Sequence, residues 1–438
     1  MDDPIDVERA SRAELRALQL RRLQRIVAYA AARVPLYRQR LAEARIAPDA
    51  IRSLDDVRRL PFTVKTDFRD TYPLGMLAVP LPEVVRIHAS SGTTGKPTVV
   101  AYTRGDIETW TRVMARTLAT GGVGPGDVVQ NAYGYGLFTG GLGFHYGAER
   151  VGAAVVPVSG GFTERQLQAL TDLRSTVLCC TPSYALHLAE AIEGAGIDGR
   201  SLDLRVGFFG AEPWTDGMRE AIERRLDLMA LNVYGLSEVI GPGVSVECPE
   251  RRGMHLNEDH FLPEIVDPQT LEPVPPGTTG ELVLTTLTKE ALPVLRYRTR
   301  DLTALDDGPC ACGRTLVRIA RITGRTDDML IIRGVNVYPS QIEHALMQCP
   351  DVEPHYLLVV RRERALDTLE VRVEAAAPVA LRGAAAMSEL AAVVRRRLRD
   401  LVGLTAEVSI VEPKTIERSA GKARRVLDLR NAEGERAP

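Results

Sequence analysis

Between Arg86 and Thr103 the chain reads RIHASSGTTGKPTVVAYT. Ser90, Ser91, Thr93 and Thr94 supply hydroxyl donors, and Lys96 supplies a positive charge. Gly92 and Gly95 let the backbone turn sharply and expose its N–H groups, which suits a polyphosphate. A Walker loop needs glycine where Ser90 stands and Ser or Thr where Pro97 follows the lysine, with a helix behind. Here strand-like residues flank the loop on both sides, so no helix dipole is expected to help hold an anion. The plain alternative is a hairpin turn that happens to be rich in hydroxyls.

A second group has the chemistry of a metal site. Cys310 and Cys312 sit on one turn, and Cys248 and His255 lie seven residues apart upstream. Two thiols plus a Cys and a His suit a closed tetrahedral zinc site, although the spacing is not that of a zinc finger. The other reading is buried thiols and a separate histidine. Cys179, Cys180 and Cys349 read as packed thiols, and six cysteines in 438 residues do not make a disulfide scaffold.

These residues need a scaffold. The chain is long enough for two or three domains, and its formal charge of −2 gives no long-range pull on nucleic acid or an anionic membrane. MDDPIDVERA lacks the pattern of a signal peptide, and no stretch approaches 18 apolar residues. A soluble cytoplasmic protein is expected. Residues 11–34 read as an amphipathic helix with Leu20, Leu23, Val27 and Ala30 on one face. From about 86 to 300, strand-like runs alternate with helical segments at 105–119, 163–172, 183–195 and 215–226. That alternation implies an α/β sheet covered by helices, with ligands gathered at loops after strand C-terminal ends. Residues 263–288 suggest a small β subdomain, and 324–346 a turn, a strand, a second turn and a helix capped by Ser340. The expected organisation is a large N-terminal domain over 1–325 and a small α+β C-terminal domain over 326–438.

SSGTTGKP (90–97), GAEPW (210–214), NVYGLSE (232–238), YRTRD (297–301), GRTDDMLIIRGVNVYPSQIE (324–343) and SAGKARRV (419–426) follow one another in the chain. This series resembles the adenylate-forming superfamily of acyl- and aryl-CoA ligases, luciferases and peptide-synthetase adenylation domains. NAYGYGLFTGGLGFHYGAER (131–150), YGLSEVIGPGV (234–244), NEDHF (257–261) and TTLTKEALP (285–293) look like the phenylacetate-CoA ligases within it. The superfamily usually has glycine before its ribose-binding aspartate, where this chain has Arg300, which puts the local backbone there in question.

The resemblance implies an AMP-forming ligase that uses ATP, Mg2+ and CoA on an aromatic acid. It assigns Ser90 through Lys96 to the β- and γ-phosphates, Glu238 to Mg2+, and Tyr234 and its neighbour Gly235 to adenine. Glu212 falls at the adenine edge, Asp301 at the ribose hydroxyls and Arg325 at the nucleotide. Lys422 is the catalytic lysine of adenylation, Asp327 the hinge of a mobile C-terminal domain, and Gly334 a lining of the CoA channel. Some bacterial relatives carry the same CxCG stretch with a zinc. The acyl pocket is expected from Tyr135, Phe138 and Ile240 as walls, with Gly210, Ala211, Gly241 and Pro242 leaving room for a flat ring. No Lys or Arg lies in those stretches, which favours an uncharged aryl or arylacetyl group over a second carboxylate. Tyr234 and Phe138 also suit plain core packing. Other acceptors stay open (a carrier-protein thiol, or an activated nitrite attacked by an aromatic amine), as does a non-catalytic nucleotide-binding protein. The family also suggests a homodimer without nucleic-acid or membrane partners.

Overall fold

The computed structural model of the chain describes residues 6–90, 97–332, 335–363, 366–403, 406–419 and 422–430. It divides into two compact units, one of residues 1–180, 201–211 and 228–321, the other of 181–200, 212–227 and 322–438.

The first unit opens with helices α1 (Arg12–Arg33), α2 (Pro35–Glu43) and α3 (Lys65–Asp70), then a hairpin of β1 (Arg86–Ala89) and β2 (Val99–Tyr102). Next come α4 (Arg104–Thr120), β3 (Val128–Asn131), α5 (Gly140–Arg150), β4 (Ala154–Val156), α6 (Thr163–Asp172), β5 (Val177–Cys180), β6 (Val206–Gly210) and β7 (Met229–Leu236). It continues through β8 (Gly241–Glu247), β9 (Met254–Leu256), β10 (Phe261–Val266), β11 (Gly280–Thr286), β12 (Tyr297–Thr303), β13 (Leu305–Asp306) and β14 (Arg318–Ile319).

The large sheet runs β13-β14-β9-β8-β7-β6-β5-β3-β4, with β3 to β7 mutually parallel. VLCC and VGFFG are buried along their whole length, as parallel strands covered on both faces must be. The chain passes from β3 to β4 on one side and then to β5 on the other. Such a reversal opens a crevice at the strand C-terminal ends, where sheets of this class take ligands. Strands β10, β11 and β12 pair antiparallel, the smaller β-structure expected from 263–288.

Helix α1 starts at a capping box. The Ser11 Oγ accepts the Glu14 N–H, and the Glu14 carboxylate accepts the Ser11 N–H at 2.8 Å. Its buried face is Leu15, Leu18, Leu23, Ile26, Val27 and Ala30; Leu20, expected on it, is only half-buried because that face is set by Leu15 and Ile26.

In the second unit, α7 (Pro182–Gly194) and α8 (Asp216–Leu226) accompany β15 (Gly324–Arg325), β16 (Leu330–Ile332), β17 (Val335–Val337) and α9 (Pro339–Met347). Then follow β18 (Val352–Glu363), β19 (Leu366–Ala375), α10 (Ala377–Ala380), α11 (Ala384–Val402), β20 (Glu407–Val411) and β21 (Val426–Asp428). The sheet order is β20-β19-β18-β21, and Ile342, Leu346, Leu358, Val371, Val394 and Leu398 form part of its core. Ser340 does not cap α9. Proline is favoured at the first helical position, so Pro339 starts the helix and Tyr338 takes the cap. Ser340 instead donates its hydroxyl to the Thr323 carbonyl.

Candidate active site

The parallel strands deliver most of the expected pocket residues from their C-terminal ends. The segment after β3 carries Tyr135 and Phe138, and β6 ends on Gly210 with Ala211 next. Tyr234 and Gly235 lie in β7, Glu238 and Ile240 in the turn beyond it, and Gly241 and Pro242 at the start of β8. Tyr135 accepts a hydrogen bond from Asn131 Nδ2 at 2.7 Å and sits 3.2 Å from His145 Nδ1. Burial pushes its phenol well up, so it stays neutral. Phe138 is half-buried and Ile240 is buried. Ala211 has a φ of 71°, in the left-handed region.

Two of the glycines are required by their own neighbours. A Cβ at Gly210 would lie 2.2 Å from the Val233 carbonyl oxygen, and one at Gly241, where φ is 107°, would lie 2.7 Å from the Trp110 ring. Strand packing at the first and core packing at the second exclude a side chain whatever ring the pocket takes.

The residues assigned to adenine and ribose come together. The Tyr234 hydroxyl donates to Asp301 Oδ2 at 2.6 Å, although 67 residues separate them. Glu238 and Asp301 are both buried. Arg300 adopts a φ of 68°, so the arginine is held in the conformation that glycine takes without strain. Strands β1 and β2 flank the segment expected to bind phosphate, with Ser90 N–H donating to the Thr98 carbonyl at 2.9 Å and Thr98 N–H to Ser90 Oγ at 3.2 Å. Ser91, Gly92, Thr93, Thr94, Gly95 and Lys96 lie outside the described residues, as does Gly334.

Lys289 carries a signal that the sequence reading missed. Asp106, near the start of α4, accepts the Glu290 and Ala291 N–H groups at 2.7 and 2.9 Å and pins the backbone there. Lys289 is buried, with its Nζ 4.7 Å from the Tyr102 ring centroid and no hydrogen-bond partner among the described residues. Burial lowers its ammonium to about 8, against the opposing pull of Asp106 and Glu238. In TTLTKEALP nothing but the apolar residues further on separates it from a surface lysine.

The Cys/His group assembles at the far end of the large sheet. Cys248 follows β8, His255 lies in β9, and Cys310 and Cys312 fall between β13 and β14. Their four ligand atoms lie within 4.8 Å of one another. Cys248 and Cys310 Sγ are 3.8 Å apart, and tetrahedral thiolates on zinc are separated by about 3.8 Å. Cys312 Sγ is 3.3 Å from His255 Nε2, while His255 Nδ1 is 3.2 Å from the Leu316 carbonyl. That second contact is the usual orienter of a metal-binding imidazole. Soft donors, count and spacing fit zinc.

In the second unit Lys422 is exposed, and the Ser419 hydroxyl donates to its carbonyl at 2.9 Å. Ala423 N–H donates to Glu212 Oε2 at 2.8 Å, and Ser183 N–H to Glu212 Oε1 at 2.8 Å. Arg325 makes a two-pronged ion pair with Asp327, at 2.9 and 3.0 Å.

Comparison with known proteins shows the family of the chain. The AMP-binding enzyme family model covers residues 16–287, and the model of the AMP-binding enzyme C-terminal domain covers 334–430. Phenylacetate-coenzyme A ligase of Thermus thermophilus is 54% identical over 97% of this chain and 99% of its own. That of Escherichia coli K12 is 52% identical over 99% and 98%. Among solved structures, 2-hydroxyisobutyryl-CoA ligase in its postadenylation state with 2-HIB-AMP is 32% identical, with a TM-score of 0.92 over 99% of this chain and 95% of that one. The same ligase in its thioesterification state, with 2-HIB-AMP and CoA, gives 0.72 at 33% identity over 99% and 96%. The chain belongs to the phenylacetate-CoA ligase family of AMP-binding enzymes. Among the described residues, no helix is long and apolar enough to cross a membrane.

Proposed function

We propose that the protein is an AMP-forming acid–thiol ligase that activates an aromatic acid of the phenylacetate type and transfers it to CoA. The identity to phenylacetate-CoA ligases over nearly the whole chain carries this reading. In the first half-reaction a carboxylate oxygen attacks the α-phosphorus of ATP, the bond to the β-phosphate oxygen breaks, and pyrophosphate leaves. An anion approaches a polyanion, so the site must neutralise charge as the transition state forms. In the second half-reaction the CoA sulfur attacks the acyl carbonyl and AMP leaves.

Ser90, Ser91, Gly92, Thr93, Thr94, Gly95 and Lys96 hold the β- and γ-phosphates, mainly through neutral donors from which pyrophosphate can depart. Tyr234 and Gly235 contact adenine, Glu212 its edge, Asp301 the ribose diol and Arg325 the nucleotide. Lys422 brings a point charge to the carboxylate and α-phosphate oxygens. Glu238 would hold Mg2+, which supplies charge neutralisation at the phosphates when bound. Tyr135, Phe138, Gly210, Ala211, Ile240, Gly241 and Pro242 form the acyl pocket. Residues 326–438 form a domain that moves about Asp327 after adenylation, bringing Gly334 to the CoA channel. Cys248, His255, Cys310 and Cys312 would hold a structural zinc, a fit supported by their spacing. The resemblance extends the reading to a cytoplasmic homodimer without nucleic-acid or membrane partners.

The test is ATP–pyrophosphate exchange across aryl acids, with and without CoA. Phenylacetate-type acids are expected to support exchange, and CoA to release AMP. Exchange that CoA never converts to AMP release rejects CoA as acceptor.

A further inference from the structure

The segment carrying Lys422 is tied down on both sides of the lysine, and both ties end on one helix. Four residues before it, the Arg418 guanidinium is shared by two carboxylates. It donates to Glu190 at 3.0 Å from Nε and 2.9 Å from Nη2, and to Glu374 at 2.7 Å from Nη1 and 2.8 Å from Nη2. One residue after Lys422, Ala423 N–H reaches Glu212, whose other oxygen accepts the Ser183 N–H in the first turn of α7. Ser183, His187 and Glu190 follow at i, i+4 and i+7, the spacing that keeps side chains on one helix face. Helix α7 lies in the segment matched by the AMP-binding model, and residues 418–423 lie in the segment matched by the C-terminal model. The ties therefore join the two matched segments within a single compact unit.

The two carboxylates differ. Glu374 has a fully buried side chain and also accepts the Lys414 and Ile416 N–H groups at 2.9 and 2.8 Å. It lies 44 residues before Arg418, within the same segment matched by the C-terminal model. Glu190 keeps some exposure and faces His355 Nε2 at 2.7 Å. Burial alone would raise its carboxyl, but His355 and Arg418 outweigh that and hold it at about 2. Losing one partner of a buried pair is costly when the other charge is left bare. If Arg418 leaves Glu190 it keeps Glu374, so this tie can open without stranding the arginine.

We propose that α7 is the seat of the catalytic-lysine segment. Glu190 acting through Arg418, and Glu212 acting through the Ala423 backbone, position Lys422 for adenylation and let it go for thioester formation. Glu190 and Arg418 are positioning residues, and the two further lone pairs of the Glu212 carboxylate leave it able to meet adenine as well. The inference rests on the adenylation reading above.

The experiment separates the half-reactions of the full-length enzyme with phenylacetate. ATP–pyrophosphate exchange reports adenylation, and phenylacetyl-adenylate supplied with CoA reports thioester formation. Glu190→Ala is expected to lower exchange kcat about tenfold or more while KM for ATP and the thioester rate stay within about twofold, because misplacement acts on geometry rather than affinity. Arg418→Lys is expected to recover part of the exchange lost in Arg418→Ala, since a point charge reaches one carboxylate where the fork reaches two. Should Glu190→Ala fold poorly, the isosteric Glu190→Gln, melting as wild type, is expected to show the same selective loss, smaller in size. Equal loss in both half-reactions, or unchanged exchange in a well-folded variant, overturns the proposal and leaves the adenylation reading standing. Wild-type enzyme that exchanges pyrophosphate with no aryl acid overturns both.

Discussion

Lys289 and Lys422 both lie in motif segments of the chain, and the protein holds them by opposite means. Lys289 is sunk beside Tyr102, with the backbone just after it pinned by Asp106 and no hydrogen bond to its ammonium among the described residues. Lys422 is exposed, and the chain around it is held by ion pairs and a backbone hydrogen bond. Packing is a permanent hold that sets a charge in one place at a cost in desolvation. Ion pairs on a short segment are a hold that another state can exchange. The proposed two-step reaction calls for the second kind at Lys422, because its first step would use a charge that the next would do without.

The contrast breaks most readily at Lys422. Lys422→Ala is expected to cut pyrophosphate exchange by about 10²–10³-fold while sparing thioester formation from supplied acyl-adenylate, as removal of a transition-state charge contact does. Equal loss of both half-reactions would remove the exchangeable role of its segment. The zinc proposed at the Cys/His group would add a third kind of hold. The enzyme is expected to carry about one zinc per chain by elemental analysis. The Cys310→Ser, Cys312→Ser double variant should lose it, and about 3 kcal/mol or more of stability, while exchange per folded molecule persists. A zinc-free parent chain would reduce the group to packed thiols.

Lys289 sharpens the comparison through pH. Its ammonium falls from 10.5 to about 8, which corresponds to about 3 kcal/mol of unfavourable burial while it is charged. Below about 8 both folded and unfolded chains carry the proton, and the full penalty applies. Between about 8 and 10.5 only the unfolded chain holds it, so this group adds stability as pH rises through that window. Denaturant titrations from pH 7 to 10.5 should show that rise in wild type and not in Lys289→Met, whose stability at pH 7 should already exceed wild type. The smallest effect is expected at Arg300. Glycine there relieves the left-handed backbone, so Arg300→Gly should gain no more than about 1 kcal/mol in thermal melting and leave KM for ATP within about twofold.

Much of the scaffold was legible because it rests on local pattern. Buried parallel strands such as VLCC and VGFFG announce themselves as short apolar runs, and the helices between them by their period. The resemblance placed Tyr234 and Asp301 in one nucleotide site, and the 2.6 Å contact brings their side chains together. It also marked Arg300 as a glycine position, which the φ of 68° explains. Ser340 was misread because a serine after a turn looks like a cap until proline takes the first helical position. Glu190 and Arg418 are 228 residues apart and belong to no shared motif, so only the folded chain pairs them. Lys289 lay inside a quoted motif, but depth of burial leaves no mark on a single lysine.

The Tyr234–Asp301 hydrogen bond occupies one oxygen of the carboxylate proposed to meet the ribose. In the proposed site, a ribose diol reaching the Asp301 oxygen that the phenol uses would trade a bond rather than add one. A trade of that kind contributes little net free energy compared with capturing a bare carboxylate. On that reading Asp301 would select the sugar while adding little to its grip.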